Sequence, residues 1–261
     1  MIETVLLDLD ETLLHDEAST KGAMSATLAD AAALRGLDAA QLAQAVLAAA
    51  RRLWAAGPHH AWCRAIGISS GEGLWATFAL GGDPDTIGLR AFAPAYRRAA
   101  WAAGLQAAGV TDDDLVADLA ERYVWERASR QILFPEALAT LVALRARGRR
   151  LVLVTNGDRD LQRRKAVACG VAGLMDHVVI SGELGIGKPR AEIFAHALSL
   201  AGATPAQAVM VGDSLGRDVR GAAAAGVRAV WLDRGGSGER PEAAWAVLPD
   251  LAGLPGLLED V

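Results

Sequence analysis

Ten residues near the start of the chain, Val5-Leu6-Leu7-Asp8-Leu9-Asp10-Glu11-Thr12-Leu13-Leu14, restrict the fold more than any other stretch. An apolar run rich in branched side chains stops on two carboxylates spaced i, i+2 and then breaks into a polar turn. Positions i and i+2 of a strand share a face. A buried parallel strand over Val5–Leu9 would therefore present Asp8 and Asp10 together at its carboxyl end, where open α/β sheets bind ligands. Two acids forced together there have to share a proton or a cation, because like charges at such range do not both ionise comfortably. The competing reading is a strand that runs into a solvated acidic turn, and the rest of the chain decides between them.

Beyond Ala18 the character changes. Ala, Leu, Arg, Gln and Asp recur with helical spacing as far as Arg130, as in Leu42, Val46, Leu47 and Leu53, and no strand pattern intervenes. From Pro135 the pattern alternates. Helices are expected over Pro135–Arg147, Asp158–Cys169, Ala191–Ala201 and Asp218–Ala225. Strands are expected over Arg150–Thr155, His177–Ser181, Ala208–Gly212 and Arg228–Leu232. Such alternation predicts a parallel doubly wound sheet. The first strand must join that sheet, so the helical block reads as an insertion that leaves after Leu14 and returns near Leu133. The expected organisation is an α/β catalytic core over 1–15 and 132–261 with an all-helical cap over 16–131, placed as a lid over the acidic pair. The Gly-, Pro- and Leu-rich tail from Gly235 reads as a closing turn and short helices without chemistry.

Composition narrows the function classes. A formal net charge of -5 argues against a nucleic-acid partner. No apolar stretch is long enough for a membrane span. The start lacks a basic flank followed by an apolar signal region. Cys63 and Cys169 are far apart without zinc-type spacing, so reduced thiols in a cytoplasmic protein are expected. Only Lys21, Lys165 and Lys188 stand against 23 arginines, which makes each lysine's position worth reading.

Each later strand or the loop after it carries a polar group. Thr155-Asn156-Gly157 follows one strand and opens a helix, a place suited to an anion or to a simple helix cap. Gly185-Ile186-Gly187-Lys188-Pro189 sets a lysine among turn residues. Gly212-Asp213-Ser214-Leu215-Gly216-Arg217-Asp218 adds one acid at a strand terminus and another in the first helical turn, where it would also suit the helix dipole. Three carboxylates at one sheet edge call for a hard divalent cation, with Mg²⁺ the natural choice.

This ordered set, Asp-x-Asp, Thr, Lys and Asp with a further Asp, resembles the haloacid dehalogenase-like superfamily in its phosphatase branch with a helical C1-type cap. Thr-Asn-Gly with Gly-x-Gly-Lys-Pro is similar to the branch holding N-acylneuraminate-9-phosphatase and related nucleotidases. The resemblance implies a Rossmann-like core with Asp8 as nucleophile and Asp10 as general acid/base. It implies phosphate binding by Thr155, Asn156 and Lys188. The metal would be held by Asp8, Asp10 and Asp213, with Asp218 and Gly212 in support. One departure is His15, followed by Asp16, where many relatives carry an acid; it falls in the hinge and bears on cap motion.

The function so implied is Mg²⁺-dependent hydrolysis of a small phosphorylated metabolite, of the sugar phosphate or nucleoside monophosphate class, through an aspartyl-phosphate. Asp10 speaks against the superfamily's namesake reaction, since dehalogenases resemble this fold but lack the second acid and the metal. The alternatives are a phosphomutase using the same intermediate and a non-catalytic regulator that binds a phosphometabolite. The expected partner is the small substrate alone, for a monomer or homodimer. In the cap, Arg51, Arg52, His59, His60, Arg64, Arg97, Arg98 and Arg127 are the groups that could line a substrate site. His59, His60 and Cys63 lack the partner a metal site needs, and Trp54, Trp62, Trp75, Trp101 and Trp125 read chiefly as packing of the small domain.

Overall fold

The computed structural model describes residues 1–259. Six strands form one sheet: β1 (Thr4–Leu7), β2 (Arg150–Thr155), β3 (His177–Ile180), β4 (Ala208–Gly212), β5 (Arg228–Leu232) and β6 (Ala246–Leu248). Their order is β3-β2-β1-β4-β5-β6, and every pairing is parallel. The chain thus steps outward from β1 in one direction, then crosses back and steps outward in the other. Leu7 pairs with Leu153 of β2 and with Val211 of β4. That register brings Asp8, Thr155 and Asp213 to one edge, each one or two residues past a common line.

Side-chain alternation explains the near-continuous apolar runs. Val5 and Leu7 enter one core with Leu151, Leu153, Val209 and Val211. Leu6 enters the other with Val152, Val154 and Met210. A strand buried on both faces needs apolar residues at every position. The first core is closed by helix α7 (Ala137–Ala146) and the four-residue α12 (Leu254–Leu257), the second by α10 (Ala191–Ala201). In α10 the buried positions Ile193, Phe194, Ala197, Leu198 and Ala201 make a single helical stripe.

The described residues divide into two compact units. One comprises Met1–Asp16, Ile132–Gly157 and the chain from Gln162 onward, and it holds the sheet. The other comprises Glu17–Gln131 together with Asp158–Leu161. This second unit contains most of α1 (Asp16–Arg35), then α2 (Ala39–Ala55), α3 (His60–Ile66), α4 (Ser70–Gly73), α5 (Pro84–Ala107) and α6 (Asp113–Ser129). No strand is present among its described residues. Asp38, Asp83 and Asp112 cap α2, α5 and α6 with their carboxylates. Its core is built on Trp101, Tyr123, Phe78 and Leu74, all fully buried. The chain leaves and re-enters the sheet-bearing unit through a short antiparallel stem. Leu14 bridges Leu133, the His15 amide donates to Ile132 O at 2.7 Å, and the Phe134 amide donates to Leu13 O at 3.0 Å. His15 also stacks on Phe134, with ring centroids 4.6 Å apart.

Four local expectations change. β1 stops at Leu7 rather than Leu9, and Leu9 O is taken into the turn that follows, where it accepts from the Leu13 and Leu14 amides at 2.9 and 2.8 Å. The helix expected over Asp158–Cys169 is α8 (Arg159–Ala168), whose first turn belongs to the helical unit: Thr77 Oγ1 donates to Asp160 at 2.8 Å, and Leu161 enters that unit's core. The helix expected over Asp218–Ala225 is a wide π-helical turn, Leu215–Val219, followed by α11 (Arg220–Ala224). The tail contributes β6, a strand of three half-buried residues, too short to show a periodicity. The remaining helix, α9 (Ser181–Leu184), is one turn long and follows β3 directly. Among the described residues no helix is long and apolar enough to cross a membrane.

Candidate active site

Asp8 is the first residue past β1, and its amide still donates to Val211 O at 3.0 Å. This last ladder bond fixes the backbone from which its side chain leaves. The Asp8 carboxylate lies 2.7 Å from Lys188 Nζ, and the same ammonium lies 2.7 Å from Asp218. Oxygens of Asp8, Asp213 and Asp218 all fall within 4.8 Å of one another. Asp213 follows β4 and is held through its carbonyl, which accepts from Trp231 Nε1 at 2.8 Å. Asp218 is brought in by the wide turn, where it accepts from the Ser214 amide at 3.0 Å. Gly212 makes that approach possible, because a Cβ there would sit 2.4 Å from the Asp218 carboxyl carbon. Asn156 grips the backbone of Lys188 at both ends: its Nδ2 donates to Lys188 O and its Oδ1 accepts from Lys188 N, each at 2.8 Å.

Burial pushes the Asp8 carboxyl above its ordinary range, with Lys188 opposing and Asp218 adding to the rise. Asp213 is pushed up to about 7 by burial and by the neighbouring Asp8 and Asp218 carboxylates. Burial also works against the Lys188 charge, but Asp218 and Asp8 outweigh it and hold the ammonium above the usual lysine range. Three carboxylates against one ammonium leave an excess of negative charge in a poorly solvated place. The donor set is all carboxylate oxygen, which fits a hard divalent cation such as Mg²⁺.

A pH prediction arises here. The folded state binds the Asp213 proton more tightly than the unfolded chain, whose carboxyl titrates near 3.8. Its contribution to stability is therefore full below about 3.8, falls as pH rises and is lost above about 7. Thermal melts in EDTA from pH 5 to 8 should show a falling melting temperature that flattens in Asp213→Asn. An equal slope in both proteins would contradict the assignment.

Asp10 does not join that cluster. The sequence reading placed both acids on one face and gave Asp10 a share in the metal. In the structure the turn after β1 sends the Asp10 carboxylate to a second lysine. Lys165 Nζ lies 2.9 and 3.1 Å from its two oxygens and 3.1 Å from Asp16. Gln162 Nε2 donates to Asp10 at 2.9 Å and to Thr155 Oγ1 at 2.7 Å. Instead of sharing one cation, each aspartate has its own buried ammonium. Sequence reasoning missed Lys165 and Gln162. The one signal in the sequence was scarcity, since Lys165 is one of only three lysines in an arginine-rich chain. Thr155 is itself buried, with its hydroxyl on the side of Asn156 and Gln162.

In the helical unit several candidate groups are structural. Arg127 is buried, donates to Arg130 O at 2.9 Å and lies over the Trp75 ring. Arg97 donates to the carbonyls of Gly73 and Ala76. His59 pairs with Asp85 at 3.1 Å. Burial, followed by the charges of Glu72 and Asp85, pushes the Cys63 thiol up to about 12. Among the described residues His59, His60 and Cys63 form no metal-holding group. Trp54, Trp75 and Trp101 are core residues, whereas Trp125 is exposed.

Comparison with known proteins identifies the family. The model of a family described as haloacid dehalogenase-like hydrolase matches residues 2–226. The chain is 42% identical to a phosphoserine phosphatase of Thermus thermophilus over 96% of its length and 94% of that protein's. It is 41% identical to the N-acylneuraminate-9-phosphatase of Mus musculus over 44% of its length and 47% of that protein's. A 2-haloacid dehalogenase of Pseudomonas syringae superposes with a TM-score of 0.61 at 28% identity, covering 100% of this chain and 99% of the other.

Proposed function

The chain belongs to the haloacid dehalogenase-like hydrolases and is a phosphoric monoester hydrolase, and on that premise we propose that it hydrolyses a small phosphorylated metabolite through an aspartyl-phosphate on Asp8. The observation that carries this reading is the Asp8 carboxylate at 2.7 Å from Lys188, within a trio of carboxylates suited to one divalent cation. In this reading the sheet-bearing unit is the catalytic core and the helical unit, Glu17–Gln131 with Asp158–Leu161, is the cap.

In the proposed first step an Asp8 oxygen attacks phosphorus, the bond from phosphorus to the ester oxygen breaks, and Asp10 gives its proton to the departing alcohol. In the second, water attacks phosphorus, Asp10 takes the proton, and Asp8 leaves as free carboxylate. Lys188 opposes the burial that disfavours the Asp8 charge and neutralises charge on the phosphoryl oxygens, while Thr155 and Asn156 order the loop edge where those oxygens would lie. A Mg²⁺ ion held by Asp8, Asp213 and Asp218 would supply further positive charge to the phosphoryl group. Asp10 and this acidic trio favour phosphate esters over the haloacid chemistry of the Pseudomonas syringae relative.

Turnover of a panel of phosphomonoesters by the purified protein tests the proposal. O-Phosphoserine heads the panel because the Thermus thermophilus relative is named for it, followed by sugar phosphates and nucleoside monophosphates. Inorganic phosphate should be released, EDTA should silence the reaction and Mg²⁺ should restore it. Metal-independent turnover, or transfer of phosphate to a second substrate hydroxyl in place of release, would overturn it.

A further inference from the structure

We propose that Lys165 and Gln162 are positioning residues that fix the Asp10 carboxylate for proton transfer. The inference rests on the phosphatase reading above and adds to it the residues that make Asp10 competent. Both sit on α8, three positions apart, and so project from the same face of the helix.

Lys165 touches both Asp10 oxygens, at 2.9 and 3.1 Å, so it constrains the carboxylate in rotation as well as in place. Its side chain is 1% exposed. An ammonium loses its hydration when buried to this degree and persists only if paired. Asp16, at 3.1 Å, completes the pairing from the opposite end of the turn. Gln162 supplies the second restraint. Its Nε2 faces Asp10 Oδ2 at 2.9 Å, Thr155 Oγ1 at 2.7 Å and the Asn156 carbonyl at 2.9 Å. Three oxygens around one end of the amide determine which end is nitrogen. The side chain thereby ties Asp10 to the end of β2 and the residue after it. Gly157 leaves room for it, because a Cβ there would come 2.9 Å from Gln162 Cγ.

The consequence is a division of labour between two aspartates only two residues apart. Without Lys165, Asp10 keeps only the Gln162 contact at one oxygen, and its distance to the ester oxygen is set less tightly. Misplacement by about 1 Å can cost about 10²-fold in rate.

The test separates positioning of the acid from general damage. Expulsion of an alkoxide needs a proton from Asp10, whereas p-nitrophenolate leaves well without one. In Lys165→Met, kcat/KM is expected to fall about 10²-fold for the best alkyl phosphate of the panel and by less than about tenfold for p-nitrophenyl phosphate. Gln162→Met, which leaves both buried charges paired, should show the same selectivity with a smaller loss, and it keeps the test decisive if Lys165→Met does not fold. Equal losses on the two esters in Gln162→Met, or no loss, would overturn the proposal. Wild-type protein inert toward both esters would instead overturn the phosphatase reading itself.

Discussion

Asp8→Asn is expected to reduce phosphomonoester turnover by about 10⁴-fold or more, as removal of a covalent nucleophile does elsewhere. The fold should remain intact. An amide occupies nearly the same volume but is no nucleophile, so the aspartyl-phosphate cannot form. Stability should hold or rise, because burial and the Asp218 charge already push the Asp8 carboxyl toward its neutral form, and Lys188 keeps Asp218 at 2.7 Å as its partner. Turnover, thermal melting and an assay for phosphorylated protein check the three parts together. Activity near wild type in this variant would remove Asp8 from the role of nucleophile.

Lys188→Met should lose both activity and stability. Removing one partner of a buried charge pair costs about 3–5 kcal/mol, because the remaining charge stays unpaired. Here both Asp8 and Asp218 would lose their ammonium. The loss should depend on pH. With the lysine gone, nothing offsets the burial that already raises the Asp8 carboxyl above its unfolded value, so the variant binds a proton on folding and gains stability as pH falls. Denaturant unfolding at pH 8 and pH 5.5 should show a larger deficit at pH 8, and activity should fall by about 10³-fold or more. A deficit equal at both pH values would mean that the two carboxylates do not depend on this ammonium.

Much of the core was legible because its strands are buried on both faces. Arg150–Thr155, Ala208–Gly212 and Arg228–Leu232 are where the apolar runs placed them. The residues after them needed no contact information, since in a parallel sheet they share an edge by register. Illegible were the directions that side chains take once the backbone leaves the strand. Extended spacing predicts one face for Asp8 and Asp10, but β1 ends at Leu7, so neither acid sits on a strand and the two carboxylates part. Asp218 suits either a helix dipole or support for the acidic site in the sequence, and only the wide turn at Leu215–Val219 decides it, by burying the carboxylate against Lys188. Lys165 takes no role from the sequence, because helical periodicity does not distinguish a solvated lysine from one whose partners lie more than a hundred residues away.

The stem at Leu14 and Leu133 closes within the sheet-bearing unit, with His15 and Phe134 on either side of the gap. Whatever the chain carries between those two points is, thermodynamically, a loop already shut at its neck. Lengthening such a loop costs only about 0.6 kcal/mol for each doubling. The segment between them can therefore change in length at little entropic cost, while Asp8 and Asp213 stay where the strand ends of the sheet hold them.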